Sequence, residues 1–144
     1  MSNVIVMASL SETFCLAIHS RTGGLGEVKL LVEKLQAKLN QQTSGSLRAA
    51  LHEASAAGHE LIIMYLLENG TEINLVDHTG RSTLHWACAN DHTAVVELLM
   101  GKGADTSLRT TDSGLTPLEL AIQMGHSDTA DVLSAFLISL SILD

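Results

Sequence analysis

Apolar residues recur at helical spacing in the middle of the chain. Between Gly80 and Gly103, residues Leu84, Ala87 and Cys88 fall at i, i+3 and i+4. A second stripe of the same kind follows, made of Val95, Val96, Leu98 and Leu99. The pattern predicts two short helices joined by a tight reversal, with Gly80 in a turn and Gly103 in the left-handed position after the second helix. Because isolated helices below about 12–15 residues are marginal in water, each pair must pack on another pair.

The same arrangement recurs on both sides of this stretch. The pair Leu51-His52 stands 33 residues before Leu84-His85, and Leu118 stands 34 residues after Leu84. The short helices close at matching pairs, namely Gly58-His59, Asp91-His92 and Gly125-His126. A period of this length predicts an array of repeats, each one a supersecondary unit that buries its apolar face against its neighbours.

The recurring motif carries a family resemblance. It reads Leu51-His52-x-Ala54, Leu84-His85-x-Ala87 and Pro117-Leu118-Glu119-x-Ala121 in successive copies, and it resembles the T-P-L-H-x-A pattern of the ankyrin repeat family over roughly residues 47–134. The resemblance implies an all-α repeat solenoid of stacked helix-turn-helix units with short β-hairpin-like loops. It divides the chain into repeats at about 12–46, 47–79, 80–113 and 114–144, after residues 1–11, which are either an arm or a disordered lead.

The first repeat departs from the pattern. Its longer helix has no glycine stop, so we expect it to run through Lys38 and Leu39, with a polar loop at residues 40–46. Its expected buried edge is Val28, Leu31, Leu35 and Leu39. In repeat two, the expected apolar face of the long helix is Leu61, Ile62, Tyr65 and Leu66. In repeat four, Pro117 suits the first turn of a helix and Thr116 suits its N-cap.

Composition and charge narrow the function classes. The net charge is −8, and residues 110–144 carry five acidic side chains and no basic ones, which makes nucleic acid a poor partner. No apolar stretch reaches the 18 or so residues of a membrane span. Cys15 and Cys88 are expected to be small buried hydrophobes in a reducing compartment, because both fall where a short helix packs. We therefore expect a cytoplasmic protein, with the nucleus as the alternative.

Candidate catalytic chemistry is sparse. Five of the seven histidines occupy positions that recur from one repeat to the next. The resemblance implies that their rings bond to backbone groups. The seven-residue gap between His52 and His59 does not match the i, i+4 spacing that places two imidazoles on one helix face for zinc. The sequence predicts no metal, no cofactor and no enzymatic activity of its own.

The resemblance implies a protein that binds another protein through its hairpin tips and the exposed side of its short helices. Carried onto this chain, the partner-binding residues are His78, Thr79, Arg81, Trp86, Ala89, Asn90, Thr111, Asp112, Ser113, Leu115, Gln123 and Met124. Trp86 is either packed between layers or presented to a partner, and a part-exposed tryptophan is a typical hot-spot residue. The function expected is that of an adaptor, scaffold or inhibitor. The alternative is a targeting or regulatory fragment of a larger protein, such as an enzyme.

The C-terminal stretch is unusually apolar. Nine of the twelve residues from Val132 to Leu143 are apolar and none is charged, although the outer helix of a last repeat faces water. Self-association through Phe136, Leu137 and Leu140 is the favoured explanation. Folding back on the array and continuation into more protein are the two alternatives.

Overall fold

The computed structural model describes residues 20–38 and 43–143. The described residues are mainly helical, and they belong to two compact units, one ending at Glu72 and the other beginning at Ile73. The predicted N-terminal arm and Cys15 lie outside the described residues.

The first unit contains α1 (Leu25–Lys38), α2 (Thr43–Ala57) and α3 (Glu60–Glu68). These three helices pack on one another. Their buried apolar side chains are aliphatic: Val28 and Val32 from α1, Ala50, Leu51 and Ala54 from α2, and Ile62, Ile63 and Leu66 from α3. Small side chains on α2 allow the longer ones of its neighbours to fill the space between short helices.

Two expectations for this unit were wrong. Leu61 is 67% exposed, because the buried face of α3 is set by Ile62, Ile63 and Leu66 and leaves its second residue in water. The polar loop predicted at residues 40–46 does not extend to Ser46, since α2 already begins at Thr43. No proline interrupts this stretch, and the alanines that follow favour helix, so the helix extends toward the N-terminus. Leu39 lies outside the described residues.

The second unit contains α4 (Thr83–Ala89), α5 (Thr93–Gly101), α6 (Pro117–Gln123) and α7 (Ser127–Leu143). The short helices α4 and α6 pack side by side, α5 packs against α7, and each short helix also contacts the long one that follows it. The predicted apolar positions Leu84, Ala87, Cys88, Val95, Val96 and Leu99 are buried here. The unit is therefore two layers of helices with an aliphatic core between them.

The starts of the short helices α4 and α6 follow from capping chemistry. Thr116 caps α6, with its hydroxyl accepting from Glu119 N–H and the Glu119 carboxylate accepting from Thr116 N–H, and Pro117 occupies the first turn as predicted. Ser82 and His85 form the corresponding pair at α4, which the sequence reasoning did not identify.

Between the helices, β-pairing in residues 73–143 is limited to an isolated bridge between Val76 and Ser82. None of the described helices is long and apolar enough to cross a membrane.

Candidate functional site

The loop before α4, residues 77–81, is organised by one carboxylate. Asp77 Oδ1 accepts hydrogen bonds from Thr79 N–H at 2.9 Å, from the Thr79 hydroxyl at 2.6 Å and from Arg81 N–H at 3.0 Å. The backbone closes the same loop, since Asp77 N–H donates to Arg81 O and Gly80 N–H donates to Asp77 O. We call residues 77–81 the first tip. Both the Asp77 side chain and the backbone therefore hold its shape.

The same network changes the acidity of Asp77. Partial burial alone raises the pKa of this carboxyl, but the hydrogen bonds from the Thr79 hydroxyl, the Trp86 indole and the Arg81 and Thr79 amides outweigh that effect and lower the pKa to about 2. Asp77 is therefore a carboxylate at neutral pH. It is the residue of the first tip that the sequence reasoning missed, although an aspartate two residues before a threonine is a recognisable side-chain turn signal.

Trp86 joins the first tip to α4. Its indole N–H donates to Asp77 Oδ2 at 2.8 Å, and the Arg81 guanidinium carbon lies 5.1 Å from its ring centroid. The hydrogen bond fixes the ring, and the side chain is half-buried. Asp77 therefore holds the indole N–H of Trp86, and the Arg81 guanidinium stacks on the face of the ring. Part of the Trp86 side chain remains accessible to solvent.

The loop before α6, residues 110–115, forms a second tip. Gly114 N–H donates to Thr110 O, Thr110 N–H donates to Leu115 O, and Leu115 N–H donates to the Thr110 hydroxyl. At the outer end, Asp112 Oδ1 accepts from Ser113 N–H at 2.7 Å, and hydrogen bonds from Thr110 and Ser113 lower the pKa of Asp112. Thr111, Asp112 and Ser113 are exposed, whereas Leu115 is half-buried. The outer part of this tip is thus accessible and ionised.

The two tips are fixed to one another. Thr111 N–H donates to Thr79 O at 2.9 Å. Gly80, with φ +78°, makes this approach feasible, because a Cβ there would lie 2.7 Å from Thr111 N and 2.9 Å from Thr111 Cγ2. His85, in the adjoining helix, supports the second tip by donating from Nε2 to Leu115 O at 2.8 Å. The predicted tip residues are therefore brought together as one surface.

His85 itself is structural, as the resemblance implied. Its ring is buried, and burial lowers its pKa. Ser82 N–H donates to Nδ1 at 3.1 Å, so the neutral ring carries its proton on Nε2, where Leu115 O accepts it. The rings of His59 and His126 also bond to backbone carbonyls, of Arg21 and Ala89 respectively.

The C-terminal ends of the short helices complete the surface. Asn90 follows α4, is exposed, and donates from Nδ2 to Trp86 O at 2.9 Å. Gln123 and Met124, at the end of α6, are exposed, and Ala89 is half-buried. We call the two tips together with Trp86, Ala89, Asn90, Gln123 and Met124 the tip surface. It presents the Arg81 cation, the exposed carboxylate of Asp112, a fixed indole and a flexible thioether.

The residues predicted for self-association lie on one helix, α7, and differ in exposure. Leu140 is exposed, whereas Phe136 and Leu137 are half-buried. Ile138 and Ile142 are more exposed than any of these. Within residues 20–38 and 43–143, no three His, Cys, Asp or Glu side chains are placed to hold a metal ion.

Comparison with known proteins agrees with the repeat architecture. The sequence model described as ankyrin repeats, in three copies, matches residues 51–138. The E3 ubiquitin-protein ligases XBAT33 and XBAT32 of Arabidopsis thaliana are 32% and 35% identical to the chain over 75% and 74% of its length. Diacylglycerol kinase iota of Homo sapiens is 40% identical over 59% of the chain.

These relatives are much longer proteins. The chain spans 21% of the length of each ligase and 8% of the kinase. The matched region contains the tip surface and the capped helices α4 and α6, together with the repeat motif at Leu51, Leu84 and Leu118. The chain belongs to the ankyrin repeat family, and its fold is the all-α repeat solenoid class that the sequence motif predicted.

Proposed function

We propose that this protein is a non-enzymatic interaction module, an adaptor, scaffold or inhibitor, that binds its partner through the tip surface. Ankyrin repeats are protein–protein interaction repeats, and the repeats themselves are a non-catalytic unit. The proposal adds the place of binding. It also puts the protein in the cytoplasm or nucleus, where a buried free thiol such as Cys88 stays reduced.

The observation that carries the proposal is the anchored tryptophan. A hot-spot side chain is large, partly exposed and held in one position before binding, so that little rotamer entropy is lost when the partner arrives. Trp86 meets these conditions through its bond to Asp77, and Arg81 adds a charge directly over it. The complementary partner segment places an apolar side chain against the indole and a carboxylate near Arg81.

Paired variants test the proposal. Arg81→Ala and Asp112→Ala remove tip side chains, yet the Arg81 amide that donates to Asp77 remains, so the melting temperature should change by only a few degrees. Capture of a specific partner from the native source should weaken by about tenfold or more. Lys102→Ala, which removes an exposed cation at the end of α5, is the matched control and should capture normally. Equal capture by all three variants would exclude the tip surface.

A second function is favoured by the relatives. The chain spans about a fifth of the plant ligases it resembles, and the names of those proteins describe enzymes. In that case, this array is a targeting or regulatory part of a larger, enzymatic protein, and the tip surface selects its substrate or regulator. An antibody raised against the two tips distinguishes the two functions, because it detects the protein in native extracts and reports its size. A native species near 15.3 kDa supports a free-standing module, and a much larger one supports the second function.

A further inference from the structure

Two asparagines close helices in the same way. Asn69 follows the last residue of α3, and its Nδ2 donates to Tyr65 O at 2.8 Å. Asn90 follows α4, and its Nδ2 donates to Trp86 O at 2.9 Å. Each side-chain amide thus binds a carbonyl oxygen in the last turn of its own helix. The two sites differ in the residue that comes next.

That next residue is Gly70 in one case and Asp91 in the other. Gly70 is exposed with φ +89°, and a Cβ on this residue would meet no atom within 4 Å. Asp91 also has a positive φ, of 59°, but its carboxylate accepts from the Thr129 hydroxyl at 2.7 Å. The surroundings of Gly70 are therefore open, whereas a side chain and its hydrogen bond restrain the backbone after Asn90.

Open space after an asparagine permits an intramolecular reaction. Asparagine is thermally labile, because the next backbone nitrogen can attack its side-chain carbonyl. We infer that Asn69 is a site of spontaneous deamidation. The Gly70 nitrogen forms a bond to Asn69 Cγ, the bond from Cγ to Nδ2 breaks, and ammonia leaves with the Gly70 amide proton. Water then opens the succinimide ring at either carbonyl, which gives an aspartyl or an isoaspartyl residue.

The reaction starts from the frayed end of α3. In the closed helix end, Gly70 N–H donates to Leu67 O at 3.2 Å, and the amide after it donates to Leu66 O at 3.3 Å. Attack by the Gly70 nitrogen requires these bonds and that of the Asn69 amide to break. The terminal turn of a helix opens at low cost in free energy. The helix end therefore slows deamidation without preventing it.

The product weakens the helix end at which it forms. A carboxylate at residue 69 accepts but does not donate, so it loses the bond to Tyr65 O and faces the partial negative charge of that oxygen. It also adds a negative charge at the C-terminus of α3, which is the negative end of the helix dipole and already carries the exposed Glu68. Deamidation therefore loosens the last turn of α3 as the protein ages.

Peptide mass spectrometry of the full chain, kept at mildly alkaline pH, tests the site. Cleavage after Arg48, Arg81 and Lys102 places Asn69 and Asn90 on separate peptides. Deamidation should be at least about tenfold faster at Asn69 than at Asn90, although Asn90 is the more exposed of the two. Equal rates at the two sites would overturn the inference. Conversion of Asn69 only in urea, where the chain is unfolded, would overturn it as well.

Asn69→Gln is the matched control. Glutamine would have to form a larger ring, so the peptide that spans residue 69 should keep its mass in this variant. That peptide also contains Asn74. A mass gain that persists in Asn69→Gln would assign the reaction to Asn74 and contradict the inference.

Hydrogen exchange measures the effect on α3. Exchange in its last turn should be about fivefold faster or more in Asn69→Asp, and less affected in Asn69→Ala, which removes the hydrogen bond without adding a charge. Wild-type exchange in Asn69→Asp would show that the product does not loosen the helix. None of these substitutions lies in the tip surface, so partner capture tests the proposed function separately.

Discussion

Single residues decide the shape of the first tip. Asp77 binds three donors of the tip and the Trp86 indole, and Gly80 brings its backbone against Thr111. Asp77 supplies the hydrogen-bond acceptors. Gly80 has no side chain, which leaves room for the Thr111 backbone. Losing either has a cost that can be estimated from local geometry.

Gly80→Ala should destabilise the protein by about 3 kcal/mol, since the left-handed conformation costs about 1–2 kcal/mol and the new Cβ collides with Thr111 backbone. Gly103→Ala is the matched control. Gly103 has φ +87°, but a Cβ on this residue would meet no atom within 4 Å, so roughly 1 kcal/mol is expected. Urea denaturation followed by circular dichroism measures both. Equal losses would mean that the contact with Thr111 is not tight.

Asp77→Asn should lower the free energy of unfolding by about 1–2 kcal/mol at neutral pH, after allowance for solvent screening. The folded pKa of Asp77, about 2, lies below its usual value of 3.8, so its stabilising contribution is present above pH 4 and is lost as the pH falls toward 2. The difference between wild type and variant should therefore shrink over that window. Urea denaturation at several pH values, followed by the fluorescence of Trp86, measures it. A difference independent of pH would contradict the assignment.

Two buried serine hydroxyls in the helices differ in whether they have a hydrogen-bond partner. Ser82 is buried at the start of α4 and accepts from His85 N–H, whereas the hydroxyl of Ser55 is buried inside α2 without a hydrogen-bond partner. Ser55 aligns with Cys88, which is a buried apolar position in the next repeat. The same residue type is therefore favourable in one helix and unfavourable in the other.

Two serine-to-alanine substitutions should have opposite effects. Ser82→Ala removes an N-cap and should destabilise by about 1 kcal/mol. Ser55→Ala removes an unpaired hydroxyl from a helix interior and should stabilise by about 0.5–1 kcal/mol. Thermal unfolding of the two variants beside the wild type measures both signs. Destabilisation by Ser55→Ala would show that its hydroxyl has a partner, such as a buried water.

Across the molecule, hydrogen bonding is uneven between the two compact units. In the described residues, the buried hydroxyls without a partner are Ser20, Ser55 and Thr71, and all three belong to the unit that ends at Glu72. The unit that begins at Ile73 contains both capping boxes and the Asp77 network. Repeat arrays open locally, so such differences should appear as differences in local stability.

Hydrogen exchange should therefore be slower in α4 and α6 than in α2 and α3, by about tenfold or more. Mass spectrometry of peptides from each helix gives the comparison within one sample, and the Asp77→Asn variant should reduce the protection of α4. Equal protection in all four helices would show that the unpaired hydroxyls do not weaken the first unit.

The repeat motif was readable from the sequence because it depends on local chemistry. Leucine and alanine spacing marks the buried side of each helix, glycine marks positive φ, and Thr116-Pro117 marks a helix start; all of these act within a few residues. The resemblance to the ankyrin repeat family, rather than spacing, assigned His85 to backbone bonding and placed Arg81 and Asp112 on the tips. Spacing failed at Leu61, where one residue of helical phase separates a buried position from an exposed one.

Tertiary structure decided the features that join distant parts of the chain. The acceptor of the His85 ring is Leu115 O, 30 residues away, and the amide that approaches Gly80 belongs to Thr111. The role of Asp77 depends on the direction of Trp86, nine residues later. The sequence by itself determined the buried positions of α4 and α5, the N-cap at Thr116 and the turn at Gly80, because those choices follow from spacing and side-chain type. Only the folded chain decided which groups meet, because hydrogen bonds depend on positions that spacing does not specify.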